Sequence, residues 1–231
     1  MTFTAEQDAT LTLTQNGNIA AHKLLKSTDG INWVKWENPS TNGISLKAGE
    51  SVYIKADEDA LNRTATSNSV FNSFQSTGPI SCIGDIMSIV NLSNSDYTAF
   101  VAGLFKNCTS LTHAPELQSF TSTHRCYSNM FDHCTSLIKP PSVVCVNSCE
   151  ASCNGMFYNC NKMTKAPELP ATTLDKACYQ WMFGACSSLV EAPKLPATTL
   201  APHCYMDMFF NCIALKQAPE LPATTLANNC Y

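Results

Sequence analysis

Met182-Phe183-Gly184-Ala185-Cys186-Ser187-Ser188-Leu189 is one register of a repeat that fills the second half of the chain. Its phenylalanine recurs as Phe105, Phe131, Phe157, Phe183 and Phe209, each 26 residues after the last. Leu104, Met130, Met156, Met182 and Met208 stand just before it. An unbroken cysteine column follows three residues on: Cys108, Cys134, Cys160, Cys186 and Cys212. Next come Leu111, Leu137, Met163, Leu189 and Leu215, and then the prolines Pro115, Pro141, Pro167, Pro193 and Pro219. The last three units add Pro-Ala-Thr-Thr-Leu at 170–174, 196–200 and 222–226. A Cys-Tyr pair stands at 126–127, 178–179, 204–205 and 230–231. A fixed period of this size is the mark of stacked units, each burying its face only against its neighbours.

One unit reads as α/β. Thr173 has the chemistry of a helix N-cap, its hydroxyl accepting from an orphan N–H. Leu174, Cys178 and Met182 lie at i, i+4 and i+8, with Phe183 beside them, which predicts an apolar helical face. Gly184 loosens the end of that segment, and residues 188–195 supply a short extended piece. About 12 helical and about 5 extended residues, with turns between, fill the period. Proline cannot donate to a ladder, so a proline in every unit predicts a narrow parallel sheet of about two to four residues per strand. The first units diverge: Phe100 replaces a cysteine, Pro140-Pro141 replaces Ala-Pro, and Ser152-Cys153 replaces Cys-Tyr. The array stops in phase at Tyr231 without a polar cap, which predicts that the natural chain continues or that another subunit covers this end.

Residues 1–80 lack the repeat and read as β. Phe3, Leu11, Leu13, Val52 and Ile54 sit in alternating stretches. Asn16-Gly17-Asn18, Thr28-Asp29-Gly30, Asn42-Gly43 and Lys47-Ala48-Gly49-Glu50 supply turns between them. Ser27-Thr28-Asp29-Gly30-Ile31-Asn32-Trp33 looks like a shortened Asp-box hairpin, a structural turn. Residues 80–92 lead into the array. The expected fold is an N-terminal all-β antiparallel sandwich over 1–92, followed by an α/β leucine-rich-repeat solenoid of five 26-residue units over 93–231, the last incomplete.

Composition narrows the function. Charged residues make up 14% of the chain and the net charge is −4, with no Lys/Arg run, so nucleic acid is a poor partner. No apolar stretch reaches the roughly 18–20 residues of a membrane span, and the start of the chain lacks a secretory leader. Of the 13 cysteines, nine fall in two repeat columns, which favours small buried hydrophobes over disulfides or metal ligands. Cys145, Cys149 and Cys153 would share a helical face, but zinc lacks a fourth ligand nearby. His22, His113, His124, His133 and His203 are scattered. Asn62-Arg63-Thr64, Asn91-Leu92-Ser93 and Asn107-Cys108-Thr109 match the short glycosylation pattern. Phosphate-cradling loops and nucleophile motifs are missing, so no catalytic residue, cofactor or metal is assigned. Candidate contact residues are Glu168, Lys194 and Glu220, which share a column, and Trp33 and Trp36. The charged column also reads as a self-satisfied surface row. The two tryptophans, at i and i+3, face opposite sides of a regular strand.

The block Met182 to Leu189, with its Cys-Tyr and Ala-Pro flanks, resembles the BspA-type leucine-rich repeats of gut Bacteroidetes and their phages. The likeness covers about residues 95–231, with Ala-Pro where that family usually has an isoleucine-rich strand. Leu25 to Trp33 followed by Ile44 to Tyr53 looks like the small β module that often precedes such repeats. The resemblance implies a non-enzymatic virion protein of fibre or decoration type. Its β module would anchor to other virion proteins and its repeats would project toward a host-surface glycan or protein, with homo-oligomers expected. The alternative it implies is a bacterial surface adhesin. A glycan-active enzyme would need paired carboxylates in a cleft, and Glu168 and Glu220 read instead as ladder members.

Overall fold

Alternation builds the N-terminal strands. In β2 (Ala9–Leu13) the side chains of Ala9, Leu11 and Leu13 are buried while Thr10 and Thr12 turn outward. β1 (Thr2–Ala5) buries Phe3 and Ala5, and β6 (Ser51–Ala56) buries Val52 and Ile54, the period of two that a half-buried strand requires. The computed structural model describes residues 1–14, 24–57, 73–89, 101–117, 125–143 and 149–231. Asn16-Gly17-Asn18, His22, Phe100, His124, Cys145 and the glycosylation patterns at Asn62 and Asn91 lie outside the described residues.

Two sheets form. With β3 (Leu24–Ser27), β4 (Val34–Lys35), β5 (Ile44–Leu46), β7 (Phe74–Ser76), β8 (Ile80–Ile83) and β9 (Leu111–His113), the orders are β4-β3-β6-β1-β8-β9 and β5-β2-β7. Phe3 of one sheet meets Phe74 of the other at 4.8 Å between ring centroids, and Trp36 stacks on Phe74 at 6.5 Å. The larger sheet is mixed, which corrects the antiparallel expectation. β9 comes from the first repeat unit and joins β8 in parallel, with an irregular step at Ile80/Ser81.

The α/β leucine-rich-repeat solenoid is overturned. Among the described residues the repeat units contain no α-helix, and the single helical element is a 3-10 turn at Ile86–Ile89. Residues 177–186 show what replaces it. Gln180, Met182, Gly184 and Cys186 donate their N–H back three residues, to the carbonyls of Ala177, Tyr179, Trp181 and Phe183. The alternate N–H groups, of Ala177, Tyr179, Trp181, Phe183 and Ala185, donate instead to Pro202, Cys204, Met206, Met208 and Phe210 of the next unit, at 2.7–3.0 Å. The same double pattern runs from 125–134 to the carbonyls of 150–158 and from 151–160 to those of 176–184. Each unit is thus a coil of consecutive turns, bonded to itself and to its neighbour by alternate amides.

Left-handed residues make these turns. Ala177, Trp181 and Ala185 have φ of 54°, 57° and 59°, four residues apart. Their columns hold Arg125, Ala151, His203 and Asn229, then Gly103, Asn129, Gly155 and Asp207, then Asn107, His133, Asn159 and Asn211, all with positive φ. Glycine, asparagine and aspartate tolerate this region, whereas other residues lose roughly 1–2 kcal/mol there. At Gly155 a Cβ would also stand 2.6 Å from Asn129 Oδ1. The narrow parallel sheet is corrected as well. Beyond β9 it shrinks to single parallel bridges, His113–Lys139, Lys165–Glu191 and Thr173–Thr199. The proline column lies two residues past the first two of these bridges and carries no donor to extend them. Thr173, expected as an N-cap, is a bridge residue.

Inside the coils the columns stack. Phe105, Phe131, Phe157, Phe183 and Phe209 follow one another at 5.4–5.8 Å with ring planes within 13°. Cys134, Cys160, Cys186 and Cys212 each donate a thiol hydrogen bond to the carbonyl of the preceding coil's phenylalanine, at 3.0–3.2 Å. Phe105 in turn packs on Phe74 and Phe3, at 5.8 and 6.3 Å. The Phe74 N–H bonds Leu104 O and the Ile80 N–H bonds Ser110 O, so the β module covers the first coil.

A turn coil and a helix respond oppositely to one substitution. Ala185→Gly relieves a left-handed alanine and is expected to raise stability by about 0.5–1 kcal/mol, read as a higher urea midpoint at unchanged slope. In a helix interior the same change would cost about 1 kcal/mol, so a lowered midpoint would count against the turn coil.

Candidate functional site

The proline edge of the last two coils opens into a groove of about 910 Å³, lined by residues 190–196 and by 216–220 with Pro222. Pro193, Pro196, Pro219 and Pro222 remove four backbone donors from its walls. Around these prolines stand small apolar side chains, the Gln217 amide, and the charged groups of Glu191, Lys194, Lys216 and Glu220. Such a wall suits a ligand with donor hydroxyls or amides and apolar faces.

The structure brings Lys194 and Glu220 together in this groove, and both are exposed. Glu168 is exposed on the preceding coil and is not part of the lining. The expected alternating ion-pair row is not formed by these residues. A pair does form three residues earlier in the unit, Lys165 Nζ to Glu191 at 3.5 Å, between exposed side chains. An exposed pair of this kind contributes about 0–1 kcal/mol, so it orders the rim more than it stabilises the coil.

Trp33 and Trp36 part company. Trp36 is wholly buried, with its indole N–H donating to Asn42 O at 2.9 Å, so it has no face to offer a ligand. Trp33 is half-buried beneath Lys55, whose Nζ lies 4.2 Å from the ring centroid. The Asp-box-like turn does form. Asp29 accepts from the N–H groups of Ile31 and Asn32, from Asn32 Nδ2 and from Ser27 Oγ, at 2.7–2.8 Å. These bonds, the Asn32 amide first, hold its carboxyl well below the usual range.

Sequence reasoning missed Glu191 and Lys216 as members of the groove. Their signal was available, since they occupy the wall positions beside the proline column. It was hidden because a sheet at that level would have closed the space.

Cys82, Cys108, Cys134, Cys160, Cys186, Cys204, Cys212 and Cys230 carry free thiols. Burial pushes Cys108 and Cys186 up to about 12 from an ordinary 9.0, and it drives Cys134 and Cys160 well above that value. No group of three or more His, Cys, Asp or Glu side chains among the described residues is placed to hold a metal ion. Among those residues, no helix is long and apolar enough to cross a membrane. Comparison with family models, with curated proteins and with solved structures gave no match.

The thiol columns set an alkaline limit. A thiol whose folded pKa lies above its unfolded one holds back no stability below about pH 9, then loses it as pH rises toward the folded value. Unfolding free energy is therefore expected to be flat to about pH 9 and to fall between about 9 and 12. Iodoacetamide at pH 8 should leave Cys108 and Cys186 unmodified in folded protein and label them in urea, as read by peptide mass mapping. Rapid native labelling of the Phe-side column would show that these thiols are not packed.

Proposed function

We propose that this chain is a non-enzymatic attachment protein of the virion fibre or decoration kind. In this reading the β module is the anchor and the coils are the projected contact surface. The groove carries the proposal: its proline walls recur with the period, and it gathers two lysines and two glutamates around apolar rings. The likeness of the repeat block and β module to BspA-type phage proteins supports the virion placement. Each copy presents a modest site, and display of many copies on one particle would turn weak contacts into firm attachment. The ligand class that fits is a host-surface glycan or an extended protein segment.

Purified, fluorescently labelled protein should bind intact gut Bacteroidetes cells saturably. The double variant Lys194→Ala, Glu220→Ala should reduce that binding roughly tenfold or more, as loss of two polar anchors does. Wild-type protein that fails to bind any strain would overturn attachment. Immunogold label on phage particles supports the virion placement, and label confined to the bacterial envelope replaces it with the adhesin reading.

A further inference from the structure

Trp181 occupies a backbone position that suits it poorly. Its φ is 57°, in a column otherwise filled by Gly103, Asn129, Gly155 and Asp207. The coil demands a left-handed residue here, and a bulky tryptophan meets that demand at a steric cost that glycine or asparagine would avoid. Three residues on, Gly184 leaves a gap in the column that carries Tyr158 and Phe210, and a Cβ there would meet Tyr158 Cδ2 at 2.8 Å. The indole of Trp181 bridges that gap. It lies 6.1 Å from the Tyr158 ring and 5.3 Å from the Phe210 ring, both edge-on. His133 extends the row, 5.8 Å beyond Tyr158.

The result is an aromatic strip that climbs the stack by about one ring per coil: His133, Tyr158, Trp181, Phe210. It is at the surface. His133, Tyr158 and Trp181 are part-exposed and Phe210 is 54% exposed. One end is polar: His133 Nδ1 is bonded to Asp132, and Asp132 is paired with Lys106 Nζ at 2.8 Å. The backbone along the strip is already committed. Trp181 N–H donates to Met206 O, Gly184 N–H to Trp181 O and His133 N–H to Tyr158 O. A protein strand therefore finds no free edge to pair with.

We propose that this strip binds a linear, predominantly neutral glycan, whose successive sugar rings lie against Tyr158, Trp181 and Phe210 while hydroxyls reach the His133–Lys106 end. The exposed parts of these rings, faces and edges alternating along the strip, supply apolar contact at low conformational cost, and the polar end fixes register. The proposal rests on the attachment reading above but not on the Lys194–Glu220 groove.

The test is tryptophan fluorescence titration of the full chain with cellohexaose, xylohexaose and mannohexaose. At least one should give a saturable change that survives Trp33→Phe. Trp181→Gly installs the residue its column already holds at Gly155, so the coil keeps its backbone. That variant should weaken binding about tenfold or more by calorimetry, and Phe210→Ser should weaken it in the same direction. Unchanged affinity in Trp181→Gly, or no binding of any hexasaccharide by wild-type protein, overturns the strip. Concentration-dependent self-association that Trp181→Gly abolishes would also overturn it and make the strip a protein contact. Retained cell binding in Trp181→Gly alongside lost cell binding in the Lys194/Glu220 variant would sink the strip and leave attachment standing.

Discussion

Everything in the repeat region depends on one division of labour among backbone amides. Alternate N–H groups turn back three residues and the others reach the next coil. Buried amides must be paired, and this arrangement pairs them without a helix or a wide sheet. It forces a left-handed residue every fourth position, because only then do consecutive turns keep their outward amides aligned along the stack. It fixes the spacing of the phenylalanine rings at one per coil. It also leaves the phenylalanine carbonyls close enough to accept from the cysteine thiols of the following coil. A weak thiol donor at a dry position explains cysteine there better than size alone does.

The period and its buried columns were legible because a repeat prints its packing directly in the sequence. Phe157, Met156 and Cys160 are wholly buried, as their columns imply. The element type was misread for a physical reason. Leu174, Cys178 and Met182 fit a helical face over a short span, but the series continues to Cys186 at a strict four-residue step. Each such step walks about 40° around an α-helix, so the face would have drifted off the core. A four-residue turn has no such drift. Gly155, Asn129, Asn159 and Asn211 carried the deciding signal, poor helix formers at the left-handed columns, while Ala177, Trp181 and Ala185 hid it. The N-terminal strands were readable from alternation, but the parallel β8–β9 pairing joins segments about 30 residues apart and leaves no local trace.

The candidate site was legible in part. A shared column put Lys194 and Glu220 on one face, and the structure places both in one groove. Charge alternation alone could not say whether they would pair, because that depends on strand spacing and the parallel sheet has shrunk to isolated bridges before it reaches these two coils. Trp36 illustrates the opposite limit. An aromatic flanked by polar residues looks available in sequence, but the turn closed by Asn42 draws its indole into the core beside Phe74.

Burial along the stack shows where the stability of a coil comes from. Leu195 is 4% exposed, while its equivalent Leu221, with no coil bonded beyond it, is 50% exposed. Leu226 is likewise open, at 64%, while its equivalent Leu174 is 2% exposed. The same sequence pattern is therefore dry or wet according to its neighbour, so a coil's apolar columns are stabilised by the interface more than by the coil itself. The β module provides that interface at the other end through Phe3, Phe74 and Phe105. Core columns consequently cannot vary independently, whereas a surface position can trade with its neighbour. Gly155 with Tyr158 in one coil becomes Trp181 with Gly184 in the next, which keeps the backbone and moves an aromatic ring along the face.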